Sequence, residues 1–323
     1  MASAIRQSAS TILWNRELRN ILMLKRGPTA KFMPNAFVFP GGVVEKTSDM
    51  NFPVDITNYA SVGGTKIIPK GMDSDLPFRI CSLRELFEET GLLFVADKAN
   101  NQKEVLSTLN DEGLNKMRDK IKEKPSLFKD LFKDFIVDVE SLIPWSSWIT
   151  PAPYPMRFNV IFYAINVSKN YDVDLCNKEM MTYFWGKPSD IIKKASENIL
   201  LPPPQYYEVM RIRLAGDTDL SEMTDPHIIC PQLYQTVDEP IKTIAILPGD
   251  NLFVNDFEES EKFNVRKISW KDLNMDDPKK VIHRFTYDSK PMYGNCELFV
   301  KNIGESNKTP IHLFHYIQKN LWK

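Results

Sequence analysis

Cysteine and histidine are scarce and scattered in this chain. Cys81, Cys176, Cys230 and Cys296 are the only four cysteines in 323 residues, and no C-x-x-C occurs. That spacing offers neither a zinc ribbon nor a redox pair, and it sets reduced thiols in an intracellular compartment as the default. The four histidines are His227, His283, His312 and His315. His312 and His315 could share a helix face, but with no cysteine or acidic ligand beside them they read as packing or surface residues. Absent too are the G-x-S-x-G elbow of a serine hydrolase and the G-x-x-x-x-G-K-[ST] loop of a P-loop phosphotransferase. No apolar run is long enough to span a bilayer. The net charge is −1, from 41 basic and 42 acidic residues, so no global basic field points to nucleic acid or an anionic membrane. Asn166-Val167-Ser168 and Asn307-Lys308-Thr309 are glycosylation triplets with no signal peptide ahead of them. The first ten residues are rich in Ser and Ala with one Arg6, in the manner of a mitochondrial presequence, yet Thr11-Ile12-Leu13-Trp14 already reads as a strand. The end, Leu321-Trp322-Lys323, is not a Ser-Lys-Leu address. Peroxisome, mitochondrion and cytoplasm all stay open.

What is present is ordinary for a soluble globular protein: 43% hydrophobic and 26% charged residues, in a length that suits one large domain or two small ones. Residues 8–14 and 20–25 read as two strands around the turn Asn15-Arg16-Glu17. A third, Phe37-Val38-Phe39, is stopped by Pro40-Gly41-Gly42, where a double glycine lets the backbone bend and approach something closely. Residues 46–77 form a polar insert with Asn51, Pro53, Asn58, Gly63, Gly64, Pro69 and Gly71, too long for an ordinary connection and so a functional loop or partly disordered. Ser74-Asp75-Leu76-Pro77 supplies a helix start. Beyond it the pattern predicts a strand at 92–95 and two helices within 101–135, broken near Lys124-Pro125. Strands follow at 145–149, 159–165 and 180–185, with helices at 188–197 and 205–214. The last third carries β-like runs at 241–247 and 263–269 and two more between 281 and 300. The mixture is α/β.

The chemistry concentrates in Arg84-Glu85-Leu86-Phe87-Glu88-Glu89-Thr90-Gly91. On a helix, Glu85, Glu88 and Glu89 stand at i, i+3 and i+4 and share one face. Ile80, Leu83 and Phe87 form an apolar stripe on the other side, and Gly91 is placed to end the helix. Three clustered carboxylates with only Arg84 nearby make a set of hard oxygen ligands for a divalent cation such as Mg²⁺ or Mn²⁺. Taken alone, the same pattern also describes an acidic solvated helix face.

These residues resemble the Nudix box, G-x5-E-x7-R-E-U-x-E-E-x-G-U, where U is a bulky aliphatic residue. Gly42 supplies its first glycine and Arg84 to Leu92 its complete second half. The box is split: Gly42 and Arg84 are 42 positions apart, where the family has 14, and the upstream Glu has no clear counterpart. Asp73 or Asp75 could stand in for it. A split of this kind is similar to the acyl-coenzyme A diphosphatase branch, the motif-19 type. Trp148-Ile149-Thr150-Pro151 with Arg157-Phe158, the run Pro202-Pro203-Pro204-Gln205-Tyr206-Tyr207-Glu208 and the long C-terminal extension look like that branch as well. The coenzyme A signature ahead of the box has counterparts in Arg26-Gly27, Lys31, Asn35 and Phe39-Pro40-Gly41-Gly42, with Lys31 in place of an Arg and Asn35 in place of a Gly.

The resemblance implies a Nudix fold, a mixed sheet sandwiched between helices, over residues 8–200. Insertions are expected at 46–77 and, as a helical segment, at 101–140, with a C-terminal extension at 201–323 packed on the domain. It implies metal-dependent hydrolysis of the diphosphate in coenzyme A or acyl-coenzyme A, giving adenosine 3′,5′-bisphosphate and (acyl-)4′-phosphopantetheine. Other nucleotides such as NADH, nucleotide sugars or capped RNA, or a non-catalytic nucleotide-binding scaffold, are the alternatives. By the same resemblance Glu85, Glu88, Glu89 and the Gly41 carbonyl would hold Mg²⁺ or Mn²⁺. Arg84 would fix a box glutamate, and Glu85 is the first choice for the base. Glu179 is a candidate further ligand. Arg26, Lys25 and Lys31 would meet the substrate's phosphates, their alternative being solvated loop charge. Arg157 is a weaker candidate, and Tyr206 and Tyr207 could cover the substrate or belong to the core.

Overall fold

The computed structural model describes residues 5–302 except 63, 64, 66, 70, 176–178, 198, 217–219, 224–226 and 256–263. Cys176, Gly63, Gly64, His312, His315, the 307–309 triplet and the C-terminal tripeptide therefore lie outside the described residues.

In chain order the elements are β1 (Ile5–Asn15), β2 (Asn20–Arg26), β3 (Phe37–Val38), β4 (Gly41–Val43), α1 (Leu76–Thr90), β5 (Leu92–Asp97), β6 (Lys103–Ser107), α2 (Glu112–Glu123) and β7 (Phe135–Val137). Then come β8 (Ile143–Ile149), β9 (Arg157–Val167), β10 (Met180–Gly186), α3 (Pro188–Glu197), α4 (Pro203–Ala215) and β11 (His227–Ile229). The chain continues with β12 (Gln232–Thr236), β13 (Thr243–Ile246), β14 (Arg266–Ile268), β15 (Ile282–Asp288) and β16 (Gly294–Lys301).

The main sheet runs β10-β2-β1-β9-β8-β11, with β3 added to β2 and β4 to β1. β1 is its axis, antiparallel to β2 but parallel to β9 along its whole length, from Ile5↔Arg157 to Asn15↔Val167. Alternation along β1 divides the interior in two, because successive side chains point to opposite faces. Ala9 and Leu13 pack with Ile80, Leu83 and Phe87 of α1. Ile12 and Trp14 pack on the other face with Tyr207 and Ile212 of α4 and with Leu233, Ala245 and Phe285 of a second sheet. That second sheet, ordered β14-β12-β13-β15-β16, comes entirely from the C-terminal third. The expected mixed sheet between helices is present, with the second sheet covering part of one face. No helix among the described residues is long and apolar enough to cross a membrane.

α1 begins with Pro77 in its first turn, where a missing N–H costs nothing, and ends at Gly91 in the left-handed conformation, φ 73°. Asp75 occupies the N-cap position without capping. Its carboxylate instead accepts from Arg79 Nε and Tyr59 Oη, each at 2.8 Å, and from Tyr163 Oη at 3.1 Å. The charge that caps many helices here pins the insert to the sheet. The first part of that insert makes short 3₁₀ turns at Asp49–Asn51, Val54–Ile56 and Tyr59–Ser61. Phe52 packs on Phe128 and Phe132, and the Asn58 side-chain amide donates to Asp138 at 2.8 Å.

The expected helical segment 101–140 needs correction. β6 and β7 flank β5 in a small three-stranded sheet, leaving α2 and the 3₁₀ stretch Pro125–Leu131 as its helical part. Charged residues in β6 mask the alternation there: Lys103 and Glu104 are exposed, and the strand is held by its pairing with β5 and by Val105 and Leu106 packing on the core. The expected boundary at residue 201 also cuts through the packing. α4 is tied to β8 by the buried Glu208 carboxylate, which accepts from Trp145 Nε1, Ser146 Oγ and Trp148 Nε1 at 2.7 Å each. β11 then pairs with β8 and completes the main sheet.

Candidate active site

α1 and the β4 edge meet at two glycines. Ser10↔Gly41 and Ala9↔Gly42 are register pairs, so both glycines lie against β1. The second lies directly under the helix. A Cβ added at Gly42 would fall 2.4 Å from Glu85 Cδ, closer than any side chain could tolerate. The Gly41 N–H donates to Glu89 Oε2 at 3.0 Å. The Pro-Gly-Gly turn therefore lets carboxylates of α1 rest on backbone. Gly42→Ala should push Glu85 out of place and lower turnover by about 10²-fold, the typical penalty for a misplacement near 1 Å. Steady-state kinetics beside an unchanged circular dichroism spectrum would check this.

Arg84 organises the rest. Its Nε and Nη2 donate to the two oxygens of Asp49, both at 2.9 Å. Its Nη1 donates to Glu85 Oε1 and Glu88 Oε1, both at 2.8 Å. One guanidinium thus holds three carboxylates, while Glu89 takes a hydrogen bond from the Gly41 amide and feels the charge of Arg26. The charge balance is poor in a place with little water. Burial raises the Glu85 pKa to about 7; Arg84 pulls it down and Glu88 pushes it up. Burial likewise raises Glu88, and it lifts Glu89 well above the usual carboxylate range with Glu85 adding to the effect.

Excess buried negative charge carried by oxygen is what a hard divalent cation matches. Glu85, Glu88 and Glu89 therefore fit such an ion by donor type and charge. Their oxygens are directed to Arg84 and the Gly41 amide, and no group of three or more His, Cys, Asp or Glu side chains among the described residues converges on a common point. The bonds to Arg84 and the Gly41 amide use Glu85 Oε1, Glu88 Oε1 and Glu89 Oε2, which leaves the second oxygen of each carboxylate for a cation.

Asp49 is the functional residue that sequence reasoning missed. Asp75 is committed to Arg79, so it does not substitute for the missing box Glu. Asp73 is not among the partners of Arg84 either. The signal for Asp49 was its position seven residues after Gly42, one beyond the six of the Nudix box. Glu179 lies on the wall beside Glu85 and Glu89, and its charge adds to the upward shift of both Glu88 and Glu89.

Glu85 and Glu89 border a cavity of about 420 Å³ that reaches from α1 to the second sheet. Arg26 lines it beside these carboxylates' sheet edge, and Leu233, Ala245, Phe285 and Tyr287 of the second sheet line it as well. Arg26 Nε is buried there without a hydrogen-bond partner among the described residues. The two lysines grouped with Arg26 are not brought to this wall. Lys25 lies across the Phe37 ring at 5.9 Å, and Lys31 is exposed on the turn that follows. The alternation of β2 explains Lys25, since neighbouring residues of a strand face opposite ways. Arg157 is structural: it is buried, and its Nε donates to the Thr150 carbonyl at 2.9 Å. Tyr207 is core, edge-on to Trp148 at 5.3 Å, and Tyr206 packs edge-on to Phe285 at 5.7 Å.

Comparison with known proteins adds an independent line. Residues 50–212 match the family described as the NUDT19 Nudix domain. The chain is 36% identical over 326 residues to a putative nudix hydrolase 7 of Caenorhabditis elegans, covering 99% of this chain and 98% of that relative. It is 29% identical over 281 residues to the acyl-coenzyme A diphosphatase NUDT19 of Xenopus laevis, covering 73% of this chain and 72% of that protein. For the Homo sapiens protein of the same name the identity is 27% over 317 residues, covering 84% and 82%. Among solved structures, a NUDIX hydrolase from Alicyclobacillus acidocaldarius superposes with a TM-score of 0.54 at 20% identity, over 69% of this chain and 97% of that one. That last likeness concerns the fold alone.

Proposed function

This chain belongs to the Nudix hydrolase family and acts on diphosphate bonds, and on that footing we propose that its substrates are coenzyme A and its acyl thioesters. The products are adenosine 3′,5′-bisphosphate and (acyl-)4′-phosphopantetheine. The observation that carries this reading is the cavity, whose lining combines the Glu85 and Glu89 carboxylates with apolar side chains of the second sheet. NADH, a nucleotide sugar or a capped RNA is polar on both sides of its diphosphate and would leave the apolar walls facing polar groups. Acyl-coenzyme A is polar on one side and apolar at the far end of the other. The relatives named acyl-coenzyme A diphosphatase, at 27% and 29% identity, support the same choice.

The chain's own groups divide the work. Glu85, whose carboxylate lies over the Gly42 backbone where the helix meets the cavity, takes the proton of the attacking water. Arg84 holds Glu85 and Glu88 in place and is itself fixed by Asp49. Arg26, half-buried in the cavity wall with its Nε unmet, offers its guanidinium to the diphosphate or to the ribose 3′-phosphate. Mg²⁺ or Mn²⁺, held by Glu85, Glu88, Glu89 and the Gly41 carbonyl, would neutralise phosphate oxygens and acidify the water when bound. Water adds its oxygen to one phosphorus, the bridging P–O bond breaks, and the two halves leave as phosphate monoesters.

The test is product analysis with purified protein, Mg²⁺ or Mn²⁺, and a panel of coenzyme A, octanoyl-coenzyme A, NADH and ADP-ribose. Metal-dependent release of adenosine 3′,5′-bisphosphate from the coenzyme A compounds alone is the expected result. Cleavage confined to NADH or ADP-ribose would overturn the substrate assignment while leaving the reaction class intact.

A further inference from the structure

We propose that the C-terminal sheet and the start of α4 form an acyl-arm subsite, in which Gln205 reads an amide of the arm and the apolar walls hold the chain beyond it. This rests on the coenzyme A reading of the same cavity and assigns the specificity to residues outside the Nudix box.

Three polar atoms in this one cavity are buried and have no hydrogen-bond partner among the described residues: Ser8 Oγ, Arg26 Nε and Gln205 Oε1. Buried polar atoms are normally paired, so three unmet ones on residues that line one cavity point to a ligand that meets them as those side chains adjust to it. Arg26 belongs with the carboxylates. Ser8 and Gln205 come from different elements, β1 and α4, on the face that the second sheet covers. An amide carbonyl such as that of Gln205 accepts only, so the complementary group is an N–H. A serine hydroxyl both donates and accepts, so Ser8 can meet either side of an amide. The same cavity is walled by Leu233, Ala245, Phe285, Tyr287 and Met292. A ligand that carries a diphosphate, amides and an apolar tail matches this set of groups. Acyl-coenzyme A, with its pantetheine arm, has all three.

Two variants separate this from a general packing role. Ala245 is 3% exposed, and Ala245→Phe fills space beside the apolar walls. Met292 is 46% exposed in the turn before β16, so Met292→Glu can put a charge beside the chain without a cost to folding. The first readout is the ratio of kcat/KM for octanoyl-coenzyme A to that for coenzyme A. We expect it to fall at least tenfold in each variant. The second is calorimetric binding of acyl-pantetheines, which carry no diphosphate and no nucleotide. Affinity should rise from acetyl to octanoyl by up to about fourfold per buried methylene, and Gln205→Met should weaken the whole series about tenfold.

The outcomes are distinct. Wild-type protein that binds octanoyl-pantetheine tightly but cleaves no coenzyme A compound would sink the proposed substrate and leave the subsite standing. Cleavage of both coenzyme A compounds with a ratio unmoved by Met292→Glu, or equal affinity for acetyl- and octanoyl-pantetheine, would overturn the subsite.

Discussion

Glu85→Gln should lower kcat/KM for coenzyme A by about 10²–10⁴-fold, the range for a general base, and should at the same time make the metal-free protein more stable. The two effects share one cause. Glu85 is paired with Arg84, yet burial outweighs that pairing and its pKa stands at about 7 against an ordinary 4.5. A carboxylate whose folded pKa is raised contributes stability in its protonated form. That contribution is full below the unfolded value of about 4.5 and is lost as pH rises through the folded value of about 7. A glutamine cannot ionise, so the variant keeps the contribution at high pH. The expected gain over wild type is near zero at pH 4.5 and on the order of 1–3 kcal/mol above pH 7, toward the low end because the Glu85 side chain keeps 16% exposure. Arg84 retains Asp49 and Glu88 in the variant, so it is not stranded. Urea unfolding of metal-stripped protein at pH 5 and pH 8, with hydrolysis measured on the same samples, checks both halves. A variant less stable than wild type at pH 8 would mean that the Arg84 pairing dominates burial. One that is stable but fully active would remove Glu85 from the reaction. Added Mg²⁺ or Mn²⁺ should stabilise wild type more than the variant, since binding the ion relieves the repulsion that the substitution has already reduced.

Arg84→Met is the largest expected loss of stability. Asp49 has no exposed side-chain surface, and Arg84 donates to both of its oxygens while also serving Glu85 and Glu88. Removing the cation leaves three carboxylates with no positive partner in a nearly dry site. Breaking a buried pair in this way costs about 3–5 kcal/mol. The deficit should shrink as pH falls toward 5, because the stranded carboxylates take up protons there. Arg84→Lys should recover little of the loss, since one ammonium cannot present the fork that spans Asp49 and both glutamates. Pairing Arg84→Met with Asp49→Asn should be far less costly than the two changes added separately, because the second removes the charge that the first strands. Urea unfolding at pH 7.5 across that double-mutant cycle measures the coupling. Additive losses would show that Asp49 and Arg84 do not act as a unit.

The helix that carries the glutamates was legible because its signals are local. Glu85, Glu88 and Glu89 share a face through helical spacing alone, Ile80, Leu83 and Phe87 mark the buried side, and Gly91 supplies the left-handed residue that ends the helix. The double glycine at 41–42 announced a close approach, and the structure shows the Glu85 carboxylate above it. Asp49 was less visible. An acid in a polar insert differs from its neighbours only by what it touches, and Arg84 lies 35 residues away. The same limit applies to Arg26 and Lys25, adjacent in sequence and alike in charge. Arg26 lines the cavity, whereas Lys25 crosses a phenylalanine on the other side of the strand.

The main strands and helices outside 101–140 and the glutamate cluster on one helix face follow from the sequence by itself, because periodicity and turn chemistry act over a few residues. The partner of Arg84, the unmet polar atoms of Ser8 and Gln205, and the apolar wall from β12, β13 and β15 were decided by the tertiary structure. Each requires residues tens to hundreds of positions apart to share one volume. That sharing is set by the parallel pairing of β1 with β9 and by how the second sheet covers their common face, for which no short stretch of sequence carries a signal.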